Sequence, residues 1–164
     1  METSADPIQS EAGGRRRFEH AAGGSVTSVR LEWINIFETG NVEIDDLHRK
    51  LVQDCNGLLL LIDNESTWTL IVAEARKLVE GCLEHFKAEE LLLERTRFPR
   101  CAEHAAEHRR LEREMQAVIV RMEQVDGSLR EHREYPRSLG PSLVDLIIRH
   151  GLDYRSHLLH QQGR

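Results

Sequence analysis

Residues 78–93 read LVEGCLEHFKAEELLL, and this stretch decides the fold class. Its apolar side chains recur at the three- and four-residue intervals of an amphipathic helix, as Leu83 and Phe86 do. His85 and Glu89 lie four residues apart, so their side chains share one face of that helix. The stretch therefore predicts a helix that carries a histidine and a carboxylate beside its apolar face.

Three further segments show the same helical periodicity, and none shows the alternation typical of a strand. The predicted helices are roughly Val42–Asp63, Thr67–Arg95 with Ser66 or Thr67 as N-cap, a third from near Pro99 to near Gly127, and a fourth from Gly140 through Leu158. The longest connection, Ser128 to Leu139, is expected to be a polar loop. Four helices with short connections predict an all-α protein, an antiparallel up-down four-helix bundle.

The N-terminal part of the chain lacks this periodicity. Residues 1–30 contain two Gly-Gly pairs and several serines, which predicts a disordered extension. Residues 31–40 are apolar without a helical period, and we expect them to form an extended arm packed on the domain. The predicted domain therefore covers residues 31–164.

Composition excludes several classes of protein. The 164 residues are 40% hydrophobic and 30% charged, which is ordinary for a globular domain. No apolar run approaches the ~18 residues of a membrane span, and the net charge of −6 disfavours nucleic-acid binding. No apolar segment follows Arg15–Arg17, so we expect no secretory signal and a cytoplasmic protein. Three cysteines without a Cys-x-x-Cys pair predict reduced, half-buried thiols rather than a disulfide framework or zinc site.

Histidines also fall beside apolar positions on the other three predicted helices. His48 lies on the first, His104 and His108 lie four residues apart on the third, and His150 lies on the fourth, three residues before Asp153. Residues three or four apart share a helix face, so each pair can point at one place in the bundle interior.

Such a convergence of imidazoles and carboxylates predicts a metal site. A single helical histidine is more often a core or surface residue, but five histidines and two carboxylates between four helices are costly to bury without a cation. Imidazole nitrogen with carboxylate oxygen suits iron and other borderline divalent ions. Seven ligands are too many for one ion but suit two ions bridged by carboxylates. The other candidates are interpreted as exposed side chains: His20, His132, His157, His160 and Glu90.

Several motifs resemble those of the bacterial hemerythrin family, whose domain is of the hemerythrin HHE cation-binding type. They are WINIFETGN at 33–41 ahead of IDDLHRKL at 44–51, HFKAEE at 85–90, and Phe98-Pro99 ahead of HAAEH at 104–108. The resemblance extends from Leu31 to about Leu159.

The resemblance implies a centre of two iron ions. One iron would be held by three histidines, His104, His108 and His150. The other would be held by His48 and His85, which leaves an open position, and Glu89 would bridge the two. In this family dioxygen binds end-on at the open iron and leaves unchanged. The implied function is reversible dioxygen binding for storage, delivery or local sensing. The expected protein is an oxygen binder rather than an enzyme, its expected partner is dioxygen, and the sequence names no protein partner.

The last helix departs from the family pattern, in which a bridging aspartate follows the ligand histidine by five residues. Arg155 occupies that position, and Gly151 replaces the usual bulky apolar residue after the histidine. Asp153 lies about 60° from His150 around the helix axis and Arg155 about 140°. We therefore expect Asp153 to supply the second bridge, with a solvated Asp153 as the alternative.

Two other functions remain open. A di-iron enzyme that acts on peroxide or oxidises a substrate is the first, although a ferritin-like oxidase would carry two Glu-x-x-His pairs. The nearest pattern here is Asp45-x-x-His48. The second is a signalling module that metal merely stabilises.

Overall fold

The structure, a computed structural model, describes residues 30–162 and contains no β-strand within them. Five α-helices are present: α1 (Val42–Asp63), α2 (Trp68–Arg95), α3 (Cys101–Glu123), the short α4 (Glu134–Arg137) and α5 (Leu139–Gln162). Two 3-10 turns, Asn35–Phe37 and Arg130–Arg133, complete the secondary structure. The predicted all-α fold is confirmed. The proposed extension, with His20, lies outside the described residues apart from Arg30.

Local sequence signals mark some of the helix ends. Thr67 is the N-cap residue of α2, but its side chain makes no capping hydrogen bond. The Asn41 side chain caps α1 by accepting a hydrogen bond from the Ile44 amide at 3.1 Å. Pro99 lies in the turn before α3 rather than within it, because the chain first closes a turn from Phe98 to Cys101. The polar connection 128–139 is not a plain loop, since it forms the second 3-10 turn and α4.

Neighbouring long helices run in opposite directions. In each pair of neighbouring helices, a later residue on the first helix contacts an earlier residue on the second. The contacts are His48–His85 then Asp54–Lys77 for α1 and α2, Trp68–Met122 then Glu89–His108 for α2 and α3, and His104–Tyr154 then His108–His150 for α3 and α5.

Two apolar clusters divide the interior into layers. The larger contains Leu51, Leu78, Met115 and Leu146 among its buried members. The smaller contains Ile44, Leu93, Phe98, Tyr154 and Leu158. On α1, α2 and α5, the buried histidines lie in sequence between buried residues of the smaller cluster and of the larger one. On α3 they lie between Cys101, which packs against the smaller cluster, and Leu111 of the larger one. The fold thus places a polar layer between two apolar ones.

The arm before α1 is predicted to be extended, but the 3-10 turn Asn35–Phe37 interrupts it. The backbone amide and hydroxyl of Thr39 both donate to Asp45, at 2.6 and 2.8 Å, and anchor the arm to the first turn of α1. Trp33 packs edge-on against Phe37, with ring centroids 5.5 Å apart.

At the end of the bundle away from Thr39 and Asp45, Trp68 at the start of α2 packs near the end of α3. The Trp68 indole donates a hydrogen bond to the Met122 carbonyl at 3.0 Å. Gly127 lies against this ring with φ of +67°, and a Cβ there would overlap the indole. Only glycine therefore satisfies both the backbone conformation and the contact.

Within residues 30–162, no helix combines the length and apolar character that a membrane span requires. The three cysteines are free thiols, with Cys55 and Cys82 buried and Cys101 partly exposed.

Candidate metal centre

The polar layer consists of six side chains from the four long helices. None is more than 7% exposed, and three are fully buried. They are His48 on α1, His85 and Glu89 on α2, His104 and His108 on α3, and His150 on α5. Polar side chains are rarely buried to this extent unless they are hydrogen-bonded, paired or bound to metal.

Three of the histidines form one group with Glu89. One possible ligand atom from each of Glu89, His104, His108 and His150 lies within 4.8 Å of all the others. The ring of His104 lies 4.4 Å from that of His108 and 4.6 Å from that of His150, measured between centroids. The i,i+4 spacing on α3 and the antiparallel approach of α5 produce this group.

The other two histidines form a second group with the same carboxylate. His48, His85 and Glu89 also offer ligand atoms within 4.8 Å of one another. Glu89 Oε2 lies 3.3 Å from His85 Nε2 and 3.0 Å from His108 Nε2, so one oxygen faces both groups. Glu89 is therefore the residue that joins them.

The inward-facing atoms of the cluster lack hydrogen-bond partners. They include Nε2 of His48, His85, His104 and His108, Nδ1 of His85 and His150, and both oxygens of Glu89. Each such atom costs free energy when buried alone, typically about 1–3 kcal/mol. A cation accepts these lone pairs and removes the cost, so the donor set fits a bound metal.

Two neighbours fix the orientation of ligand rings. His48 Nδ1 donates to the Phe37 carbonyl of the arm at 2.9 Å. His108 Nδ1 donates to Glu90 Oε1, also at 2.9 Å. In both rings Nε2 then keeps its lone pair for a metal. The interpretation of Glu90 as an exposed charge is therefore wrong, since it orients His108.

The environment favours the charge states that bind metal. Burial lowers the pKa of His48 to about 4, assisted by His85 and opposed by the Phe37 carbonyl. Burial likewise lowers the pKa of His150 to about 4. Burial opposes ionisation of Glu89, but the imidazoles of His85, His104 and His108 around it outweigh burial and hold its pKa well below the usual range.

The family model of the hemerythrin HHE cation-binding domain matches residues 39–157, which include all six buried polar residues. The chain belongs to the hemerythrin HHE cation-binding domain family. The resemblance predicted from the motifs is thereby confirmed. Among curated proteins, none matches this chain.

In this HHE domain Asp153 does not join the cluster. Its carboxylate forms an ion pair with Arg100 at the start of α3, and its side chain is 26% exposed. The structure places Asp153 in neither donor group, because its carboxylate meets Arg100 instead, and the second bridge stays a prediction. Arg155 is also partly exposed.

The interior position on that turn of the HHE domain belongs to Tyr154. Its side chain is 0% exposed, and its ring centroid lies 5.6 Å from that of His104. Burial, with the nearby Glu89 carboxylate, raises the pKa of Tyr154 well above its ordinary value. Tyr154 was not among the residues predicted from the sequence, because only carboxylates after His150 were candidates for a ligand. The signal was present in the i,i+4 spacing.

Beside the two-histidine group of the HHE domain, Gly151 faces the arm. A Cβ at Gly151 would lie 3.5 Å from the Thr39 methyl and 4.0 Å from His48 Cε1. A side chain longer than that of alanine at this position would press against Thr39 and His48, which glycine does not.

Three further histidines among residues 30–162 lie outside the cluster. His157 is not simply a surface residue, because its Nε2 donates to the Thr96 carbonyl at 2.8 Å and its ring contacts Phe98. His132 is half-buried rather than solvated and stacks on Tyr135. His160 is exposed, as predicted.

Proposed function

We propose that this HHE domain holds two non-haem iron ions and binds dioxygen reversibly, for storage, delivery or local sensing. The observation that carries the proposal is the sharing of Glu89 by two donor groups of unequal size. A carboxylate between two groups of imidazoles suits a pair of ions, and this combination of nitrogen and oxygen donors suits iron.

The two donor groups would leave their ions with different numbers of protein ligands. His104, His108 and His150 offer one ion three imidazoles, whereas His48 and His85 offer the other only two. The second ion would therefore retain a position for a small ligand. When bound, a ferrous pair supplies the electrons that reversible dioxygen binding requires. The arm orients His48 through the Phe37 carbonyl, and full burial of both histidines keeps water from this position.

A second candidate is an enzyme that acts on peroxide or another small solute. It is favoured by a surface cleft of about 220 Å³ whose lining includes His104 and His150, together with Arg100, Glu107 and Asp153. This cleft gives solutes an approach to the three-histidine group. We favour binding over catalysis because the group with the free position is the one buried away from the cleft.

The test loads the chain with iron under argon, measures metal content, and then admits air. We expect two irons per chain and a visible absorption band that argon removes. Zinc-loaded chain is the matched control, because zinc has no redox chemistry and should show no band. Fewer than two irons per chain contradicts the di-iron centre. Irreversible bleaching favours the enzyme, and two irons without a spectral change favour a metal-stabilised signalling module.

A further inference from the structure

The side-chain hydroxyl of Tyr154 is buried in the interior of the bundle, and apolar packing does not explain a polar group there. Tyr154 is 0% exposed, and its hydroxyl has no hydrogen-bond partner. Among residues 30–161, the buried side-chain oxygens without a partner are those of Glu89 and the hydroxyl of Tyr154. An orphaned hydroxyl in the interior is unfavourable unless something binds it.

The position of Tyr154 directs this hydroxyl at the polar layer. Tyr154 follows His150 by four residues, so the two side chains lie about 40° apart around α5 and share a face. Its ring lies in the smaller apolar cluster, 6.4 Å from Phe98 and 5.6 Å from His104 between centroids. The hydroxyl approaches Glu89, but without the distance and angles of a normal hydrogen bond.

The charge of the cluster indicates what the Tyr154 oxygen could do. Its protein donors are five imidazoles and one carboxylate. Two divalent cations would bring far more positive charge than Glu89 alone neutralises in a buried place. Asp153 lies in neither donor group and pairs with Arg100 instead. A phenolate oxygen adds one negative charge and is a known ligand of iron in proteins.

We propose that Tyr154 is a further ligand of this metal centre, binding ferric iron through its phenolate oxygen. The inference rests on the proposed di-iron function. The ferric state would arise when each ferrous ion gives one electron to dioxygen, the ligand of the proposed function. On ligation the phenol proton would then leave to solvent, and an iron–oxygen bond would replace the O–H bond. The centre then has two protein oxygen ligands, Glu89 from α2 and Tyr154 from α5.

The experiment uses resonance Raman and visible absorption of the full chain loaded with iron and oxidised. The chain has two tyrosines, so Tyr135→Phe is the matched control; Tyr135 lies on α4, stacked on His132. We expect phenolate ring modes in the parent and in Tyr135→Phe, and their loss in Tyr154→Phe. Ring-deuterated tyrosine in the Tyr135→Phe chain should shift these modes, which assigns them to Tyr154 even where Tyr154→Phe does not fold.

The outcomes separate the two proposals. A parent that binds two irons without phenolate modes, or a Tyr154→Phe variant that keeps them, overturns this inference alone. A parent that binds no iron overturns the proposed function and this inference with it.

Discussion

The two donor groups of the metal centre differ in the number of protein donors and in exposure to solvent. The group with more donors is also the more exposed one. His48 and His85 are 0% exposed, whereas His104 and His150 are 5% and 7% exposed and line a charged cleft. The group with fewer protein donors is thus the better shielded. In the proposed di-iron centre, an open coordination position beside solvent would fill with water, and the group that would offer one is the fully buried group. The group with three histidines needs less protection.

The largest expected effect comes from the residue that both groups share. Glu89→Gln replaces the common carboxylate with a neutral amide, so bound iron should fall from two per chain to below one. Metal analysis after anaerobic loading measures this. Glu84→Gln is the matched control, because Glu84 lies exposed on the same helix and should leave the iron content unchanged. A Glu89→Gln chain that retains both irons contradicts the shared-carboxylate arrangement.

Removing one histidine from each group compares the groups directly. His48→Ala leaves the smaller group with two protein donors, so we expect loss of one iron and of the air-induced band. His150→Ala leaves three donors in the larger group. It should retain both irons and release one of them more readily to a chelator. Chelator titration followed spectroscopically distinguishes the variants. Equal iron loss in both would show that the groups do not differ in this way.

One buried histidine in each group makes the metal-free protein acid-sensitive. The pKa of His48 and of His150 is about 4 in the fold, against about 6.5 when unfolded. Above pH 6.5 both histidines are neutral in the folded chain and in the unfolded chain. As the pH falls from 6.5 to 4, the unfolded chain takes up protons that the folded chain does not, so stability falls.

Melting curves of metal-free protein across this pH range measure the effect. We expect the melting temperature to decline with acid, and His48→Gln with His150→Gln to flatten the decline. His160→Gln, at an exposed position, should leave it unchanged. A melting temperature that rises as the pH is lowered from 6.5 to 4 would falsify the lowered pKa values of His48 and His150.

The smallest effect is expected at the cleft. Asp153→Ala breaks a partly exposed ion pair with Arg100, which should cost about 0–1 kcal/mol of stability. Iron content and the lifetime of the air-induced band should match the parent, and Arg100→Ala should behave alike. Loss of iron from Asp153→Ala but not from Arg100→Ala would restore Asp153 as a ligand.

Much of this centre could be predicted from the sequence because helical spacing is local. The four-residue steps from His85 to Glu89 and from His104 to His108 place both members of each pair on one face whatever surrounds them. The buried positions of His48 and His150 followed from their apolar neighbours. These residues are brought together by the same periodicity that forms the bundle.

What the sequence could not supply depends on contacts between elements. Glu90 orients His108 from a neighbouring helix, and a carbonyl of the arm orients His48, and neither pairing has a sequence signal. Asp153 and Tyr154 are adjacent, and a few tens of degrees decide which of them enters the interior. The position of Arg100 at the start of α3 gives Asp153 its partner outside the cluster.

The two tryptophans lie in different parts of the molecule, Trp33 in the arm beside α1 and Trp68 at the start of α2, and give each part its own fluorescence signal. Trp33 contacts Phe37, whose carbonyl holds His48, whereas Trp68 lies 17 residues before His85, about 25 Å along α2. Quenching by a bound metal should therefore fall mainly on Trp33. Loosening of the arm and fraying at Gly127 become separately visible in one chain without any attached dye.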